Sequence, residues 1–140
     1  MKHAGTLLLA MMALMQIGFR LWGYDAMYLL GYGAISLMAL MISATFLWLW
    51  HVRATPLALG MSMSWAGSGL IMGWWWMMKL AGYPDWGAQA GGLFVIMALL
   101  ASGAVLHFAV IQSSFGFRGG SFLVPVSTAL GLSLLVLFLR

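Results

Sequence analysis

Two long apolar runs, 26–50 and 57–78, contain no acidic or basic residue and are joined by the short polar turn His51-Val52-Arg53-Ala54-Thr55-Pro56. This pairing constrains the fold more than anything else in the chain. Crossing a hydrocarbon core takes roughly 20 helical residues, and each run meets that length. The turn therefore marks one membrane surface. The Trp74-Trp75-Trp76 cluster near the end of the second run marks the other, because indole rings favour the headgroup level.

Composition points the same way. Of the 140 residues, 64% are hydrophobic and 6% are charged, and the mean hydropathy is +1.04. Soluble domains carry roughly 25% charged residues. A chain this poor in charge cannot clothe a water-facing surface, so the lipid bilayer is its expected solvent. The length fits one domain, 1–140. The net charge of +4 comes from six scattered bases. A nucleic-acid footprint needs a clustered basic patch, so no nucleic-acid partner is expected. Bases at helix ends facing lipid phosphates explain the charge instead.

Cysteine is absent, which excludes disulfides, thiolate metal sites and a cysteine nucleophile. The 13 methionines read as flexible packing residues. Met11-Met12 and Met77-Met78 have no His or Cys neighbour that would make a copper site, and no metal site is expected.

Hydropathy runs and turn residues predict an all-α, polytopic bundle of about five spans: 4–22, 26–50, 56–78, 87–112 and 121–139. The first begins with Lys2 and His3 before an apolar stretch, which resembles a secretory signal. It lacks a small-x-small cleavage pattern and reads as an uncleaved span. Gly23-Tyr24-Asp25 makes the first turn. Pro56 suits the first turn of a helix, where its missing N–H is not needed. Alternate crossings put Lys2, Arg53 and Arg118 on one side and Arg20, Lys79 and Arg140 on the other. The positive-inside rule counts bases, and the count is tied. Both acids, Asp25 and Asp85, fall on the second side, each beside a base: Arg20 for Asp25 and Lys79 for Asp85.

Small residues at helical spacing let helices approach closely. Ser36, Ala39 and Ser43 form one such face. Gly60, Ser64 and Ser68 form another at steps of four, with Gly69 and Gly73 as a second pair. Gly87, Gly91, Ala98 and Ser102 are the small positions of the fourth span. These residues are the expected surfaces for helix packing, for self-association or for other integral-membrane subunits.

Chemistry-bearing residues are few. His3, His51 and His107 fall on one expected side. An imidazole pair on two helices can hold haem iron within a bundle, so His51 and His107 are candidates for haem b or a quinone. The bland alternative puts His51 among headgroups and leaves His107 hydrogen-bonding a neighbouring helix. Imidazole within a span needs a partner, and such residues are functional candidates by default. No carboxylate lies within a span, although ion-coupled carriers place one there. There is also no carboxylate pair for general acid–base catalysis and no metal triad. Intrahelical packing and back-bonding explain Ser36, Ser43, Ser64, Ser68 and Ser102 better than nucleophilic catalysis. No catalytic residue is assigned, and the residues do not make an independent enzyme.

Minimal loops, tight small-residue faces and missing catalytic groups suit an accessory or structural subunit of a larger integral-membrane complex. A respiratory or photosynthetic assembly in a bacterial inner membrane is the expected host. One alternative is an electron-transfer subunit using His51 and His107. Another is an oligomeric channel or carrier lined by Ser64, Ser68 and Gln89.

Overall fold

The computed structural model describes residues 2–88, 90–116 and 119–139, and it is all-helical over them. Five α-helices follow in order: α1 (Lys2–Arg53), α2 (Pro56–Leu80), α3 (Asp85–Ala88), α4 (Gly92–Ser114) and α5 (Leu123–Leu139), with a 3-10 turn at Gly120–Phe122. Gln89, Arg118 and Arg140 lie outside the described residues, so the pore and charge-side readings that used them have no structural counterpart here.

The first helix is not straight. Gly23 has φ 79° and ψ 179°, a break that divides α1 into a first arm, 2–22, and a second arm, 24–53. That region of backbone space is essentially open only to glycine. The two arms turn back on each other near the break. A methyl group at Gly18 would lie 2.6 Å from the Met27 sulfur, and one at Gly31 would lie 3.4 Å from Met15 Cε. In a continuous helix positions 15 and 31 would be about 24 Å apart. Residues 3–17 of the first arm are all exposed.

Ala54 ends the second arm in the left-handed region at φ 49°, and its N–H donates to the Trp50 carbonyl at 2.6 Å. This single closing bond is the usual left-handed helix cap, with alanine where glycine is commoner. Thr55 then takes an extended conformation and Pro56 opens α2. At the other end of α2, Gly82 (φ 73°) donates to the Lys79 carbonyl and Tyr83 donates to that of Met78. Those two bonds make a Schellman cap, and Pro84 follows as a stop.

The centre of the fold is α2. One of its faces packs antiparallel on the second arm of α1, and another packs antiparallel on α4. Small residues make most of the core: Ala39, Ala58, Ser36, Ser43 and Ser62 are buried together with Met27 and Met78, and no large side chain is fully buried among the described residues. The last helix, α5, has no buried residue.

Two stretches, His3–Arg53 and Asp85–Ser114, are long and apolar enough to cross a membrane. The expected count of about five spans is therefore not supported, for three physical reasons. Runs 4–22 and 26–50 merge into one helical element broken only at Gly23. Gly, Ser and Trp dilute the hydropathy of α2. With 17 residues, α5 falls short of a full crossing. The expected fourth span, 87–112, also shifts, because a short helix ends at Ala88 and α4 begins at Gly92.

Candidate functional site

Two faces of α2 carry the small residues into contact. On the α1 side, Ser43 and Ser62 exchange hydrogen bonds. Ser43 Oγ donates to the Ser62 carbonyl at 2.8 Å, and Ser62 Oγ donates to the Ser43 carbonyl at 3.0 Å. Seven residues along the arm, Ser36 Oγ donates to the Gly69 carbonyl at 2.8 Å. Ser36 and Ser43 are buried packing residues whose hydroxyls cross to α2 in place of bonding back to their own helix. They can do so because Gly69 and Gly73 leave room: a methyl at Gly69 would meet Leu40 at 3.0 Å, and one at Gly73 would meet Ser36 Oγ at 2.8 Å. The indole of Trp76 lies over Gly33 at similarly close range.

On the α4 side the approach is closer still. A methyl at Gly60 would lie 3.0 Å from the His107 amide nitrogen, and one at Gly67 would lie 2.7 Å from Leu100 Cα. A methyl at Gly103 would overlap the Ser64 backbone amide. Gly60 and Ser64 thus sit at the α2–α4 contact. Ser68 is half-buried, Ala98 and Ser102 are exposed, and Gly91 has nothing within 4 Å. Gly87 rests against the Met78 sulfur. Sequence reasoning missed Ser62, Gly67 and Gly103. The signal was present as the three-residue step from Ser64 to Gly67, which a four-residue stripe passes over.

The histidines do not converge. His107 lines a small cavity of about 170 Å³ with Ser64, Ala104, Phe108 and Ile111. His51 is exposed and lines a different hollow, with Leu47, Trp48 and Trp50. A haem ligated by both imidazoles needs one volume between them, and the structure provides two. The His107 cavity is also smaller than the roughly 300–1,000 Å³ of typical small-molecule sites. Ser64 Oγ is buried there without a hydrogen-bond partner. No group of three or more His, Asp or Glu residues is assembled for a metal among the described residues.

The Trp-rich end of α2 holds the charged cluster. Lys79 Nζ pairs with Asp25 at 2.6 Å, with the two side chains 25% and 76% exposed. The expected neighbours, Arg20 for Asp25 and Asp85 for Lys79, are thus replaced by a pair joining the start of the second arm to the end of α2. The antiparallel packing sets this choice, because it brings residues 25 and 79 level. The hydrogen bond that Lys79 donates to the Asp25 carboxylate holds its ammonium above its ordinary pKa. The same ammonium lies 5.9 Å from the Tyr28 ring centroid and 5.6 Å from that of Tyr83. Tyr28 and Tyr32 stack at 4.1 Å. Trp and Tyr gather in this way at membrane–water interfaces.

Comparison with protein-family models, with curated proteins and with solved structures finds no match for this chain.

Proposed function

We propose that this chain is a multi-pass accessory subunit of a bacterial inner membrane, packing against and helping to assemble a larger integral-membrane complex. The observation that carries this reading is the bareness of the first arm and α5. Residues 3–17 are exposed throughout, and Leu130, Leu135 and Phe138 of α5 are 61%, 54% and 84% exposed. Water does not tolerate contiguous apolar surfaces of that extent on a monomer. Lipid or neighbouring helices cover them in this reading.

The reversal at Gly23 favours two crossings by α1, and five crossings in all belong to the same proposal. At 17 residues, α5 is about 26 Å long and spans where the bilayer thins around it. A respiratory or photosynthetic complex is the natural host for a subunit without chemistry of its own. Electron transfer through His51 and His107 draws less support, since their cavities are separate. A pore lined by Ser64 also draws less support, since that residue faces α4.

Purification from membranes in a mild detergent tests the role. Co-purifying integral-membrane subunits, identified by mass, are the expected result. A lone monodisperse monomer overturns it.

A further inference from the structure

All four tyrosines of the chain stand around the Lys79–Asp25 pair. Tyr24, Tyr28 and Tyr32 follow one another at four-residue steps along the second arm, and Tyr83 comes just after α2. The rings of Tyr24 and Tyr28 lie 5.9 Å apart by centroid, and Tyr28 stacks on Tyr32. Trp and Tyr collect at the headgroup layer. A crossing α2 therefore carries Lys79, one residue before its end at Leu80, into that layer.

The contact between Lys79 and Asp25 saturates neither partner. An ammonium has three N–H donors, and a carboxylate has about four acceptor sites. The contact at Asp25 Oδ1 spends one of each. The Asp25 side chain is largely exposed, so its remaining lone pairs are reachable, and Lys79 is the more covered partner. Tyr24 and Tyr83 are exposed beside them.

Three properties of this cluster choose the occupant. The pair has no net charge, so it matches a headgroup that carries both signs rather than an anionic one. Its cation is the covered member and its anion the exposed one. A zwitterionic phospholipid presents the complementary order, with the phosphate next to the acyl chains and the ammonium outermost. Lys79 Nζ already lies over the rings of Tyr28 and Tyr83. Those ring faces are what a quaternary ammonium would need, whereas the open Asp25 carboxylate suits an ammonium that has N–H groups to donate.

We propose that the Lys79–Asp25 pair binds a zwitterionic phospholipid, whose primary ammonium donates to the Asp25 carboxylate and whose phosphate accepts from Lys79 Nζ. The inference rests on the membrane placement above, which puts the pair at headgroup depth.

The test starts with an alkaline carbonate wash of membranes holding the full chain. Release by the wash overturns the membrane placement and the lipid site with it. A retained chain is purified in detergent, and its unfolding midpoint is followed against added dioctanoyl phosphatidylethanolamine. Its N-methyl, N,N-dimethyl and N,N,N-trimethyl derivatives and dioctanoyl phosphatidylglycerol are run beside it. Binding to the folded state raises the midpoint with concentration. The methyl series keeps the charge and the acyl chains and removes one N–H donor at a time. The expected result is the largest rise with phosphatidylethanolamine, a smaller rise with each added methyl, and less with phosphatidylglycerol. Asp25→Asn weakens the phosphatidylethanolamine response about fivefold in concentration, the scale of one hydrogen bond. Asp85→Asn leaves it unchanged. If Asp25→Asn does not fold, the methyl series on the unaltered protein decides. No response to phosphatidylethanolamine, a response that does not fall along the methyl series, one as large with phosphatidylglycerol, or an undiminished response in a folded Asp25→Asn each overturns the site while leaving the membrane placement intact.

Discussion

Ser43 and Ser62 each hold the other's backbone, hydroxyl to carbonyl, across the contact between α1 and α2. Neither hydroxyl depends on water, and neither back-bonds to its own helix. In a lipid environment burial of apolar surface does not drive helices together, so close packing and bonds of this type have to. Replacing Ser43 or Ser62 with alanine removes one donor and one close contact. Each substitution is expected to cost about 0.6 kcal/mol, with about 1.7 kcal/mol as the upper end. The double variant is expected to cost less than the sum, because the two bonds share one geometry. Unfolding in mixed micelles of all four species closes the cycle, and strict additivity would contradict the reciprocal pair.

Much of this contact is readable from residue spacing alone. Gly60 with Ser64, and Gly69 with Gly73, stand out at four-residue steps, and the structure seats both pairs at helix contacts. Gly23 reads as a turn, and its torsions make the reversal. Other parts are not readable in that way. Ser62 lies between two methionines, and nothing in the sequence says that its partner is Ser43. The pairing of Lys79 with Asp25 depends on which residues antiparallel packing brings level, which is a tertiary fact. Where His51 and His107 lie is a tertiary fact of the same kind: they line different hollows, although both sit toward the same end of their helices. Span counting suffers because hydropathy measures composition, whereas α1 shows that a single backbone torsion decides whether a long apolar run is one rod or two.

Gly23→Ala tests that torsion. Its backbone conformation is closed to residues with a Cβ, and the strain is about 1–3 kcal/mol. The variant is expected to unfold at lower denaturant and to lengthen the distance between spin labels at positions 12 and 34. Gly91→Ala, where a methyl meets open space, is the matched control and should change stability by less than about 0.5 kcal/mol. A Gly23→Ala variant as stable as wild type would count against the bend.

The α2–α4 contact makes a sharper demand. A methyl at Gly67 would crowd backbone as well as side-chain atoms of Leu100, and one at Gly103 would overlap the Ser64 amide. Backbone cannot rotate aside as a side chain can. Gly67→Ala and Gly103→Ala are each expected to destabilise by about 1–3 kcal/mol, the usual cost of overpacking a close contact. Unfolding by denaturing detergent, followed by helical circular dichroism, reads both.

The Lys79–Asp25 pair predicts a pH dependence with a definite sign. The ammonium is held above its ordinary value of 10.5 in the folded chain by the hydrogen bond it donates to Asp25. Its contribution is therefore complete below that ordinary value and fades as pH rises through the higher folded value. Unfolding midpoints are expected to be flat from neutral pH up to that ordinary value and to fall above it as the ammonium loses its proton. Lys79→Gln should remove this alkaline decline. Added salt should shrink the difference between the two proteins, since the Asp25 carboxylate is largely exposed.

Topology is open to direct labelling because the chain has no cysteine to remove. Single cysteines placed at Ala54, Gly82 and Gly116 sit at the ends of the second arm, α2 and α4. With α2 antiparallel to both neighbours, Ala54→Cys is expected to react on one side of a vesicle with a membrane-impermeant maleimide, and Gly82→Cys on the opposite side. Gly116→Cys should share the side of Ala54→Cys. Labelling of all three from a single side would rule out crossing by α2 and α4.

The break at Gly23 also bears on how two molecules could meet. Near the bend the leading helix meets the second arm where Gly18 approaches Met27 and Met15 approaches Gly31. A second copy presents the same Met27 and Gly31, so trading leading helices between copies would preserve these two approaches while joining the two chains. The geometry that folds one polypeptide back on itself is thus a ready hinge for a swapped dimer.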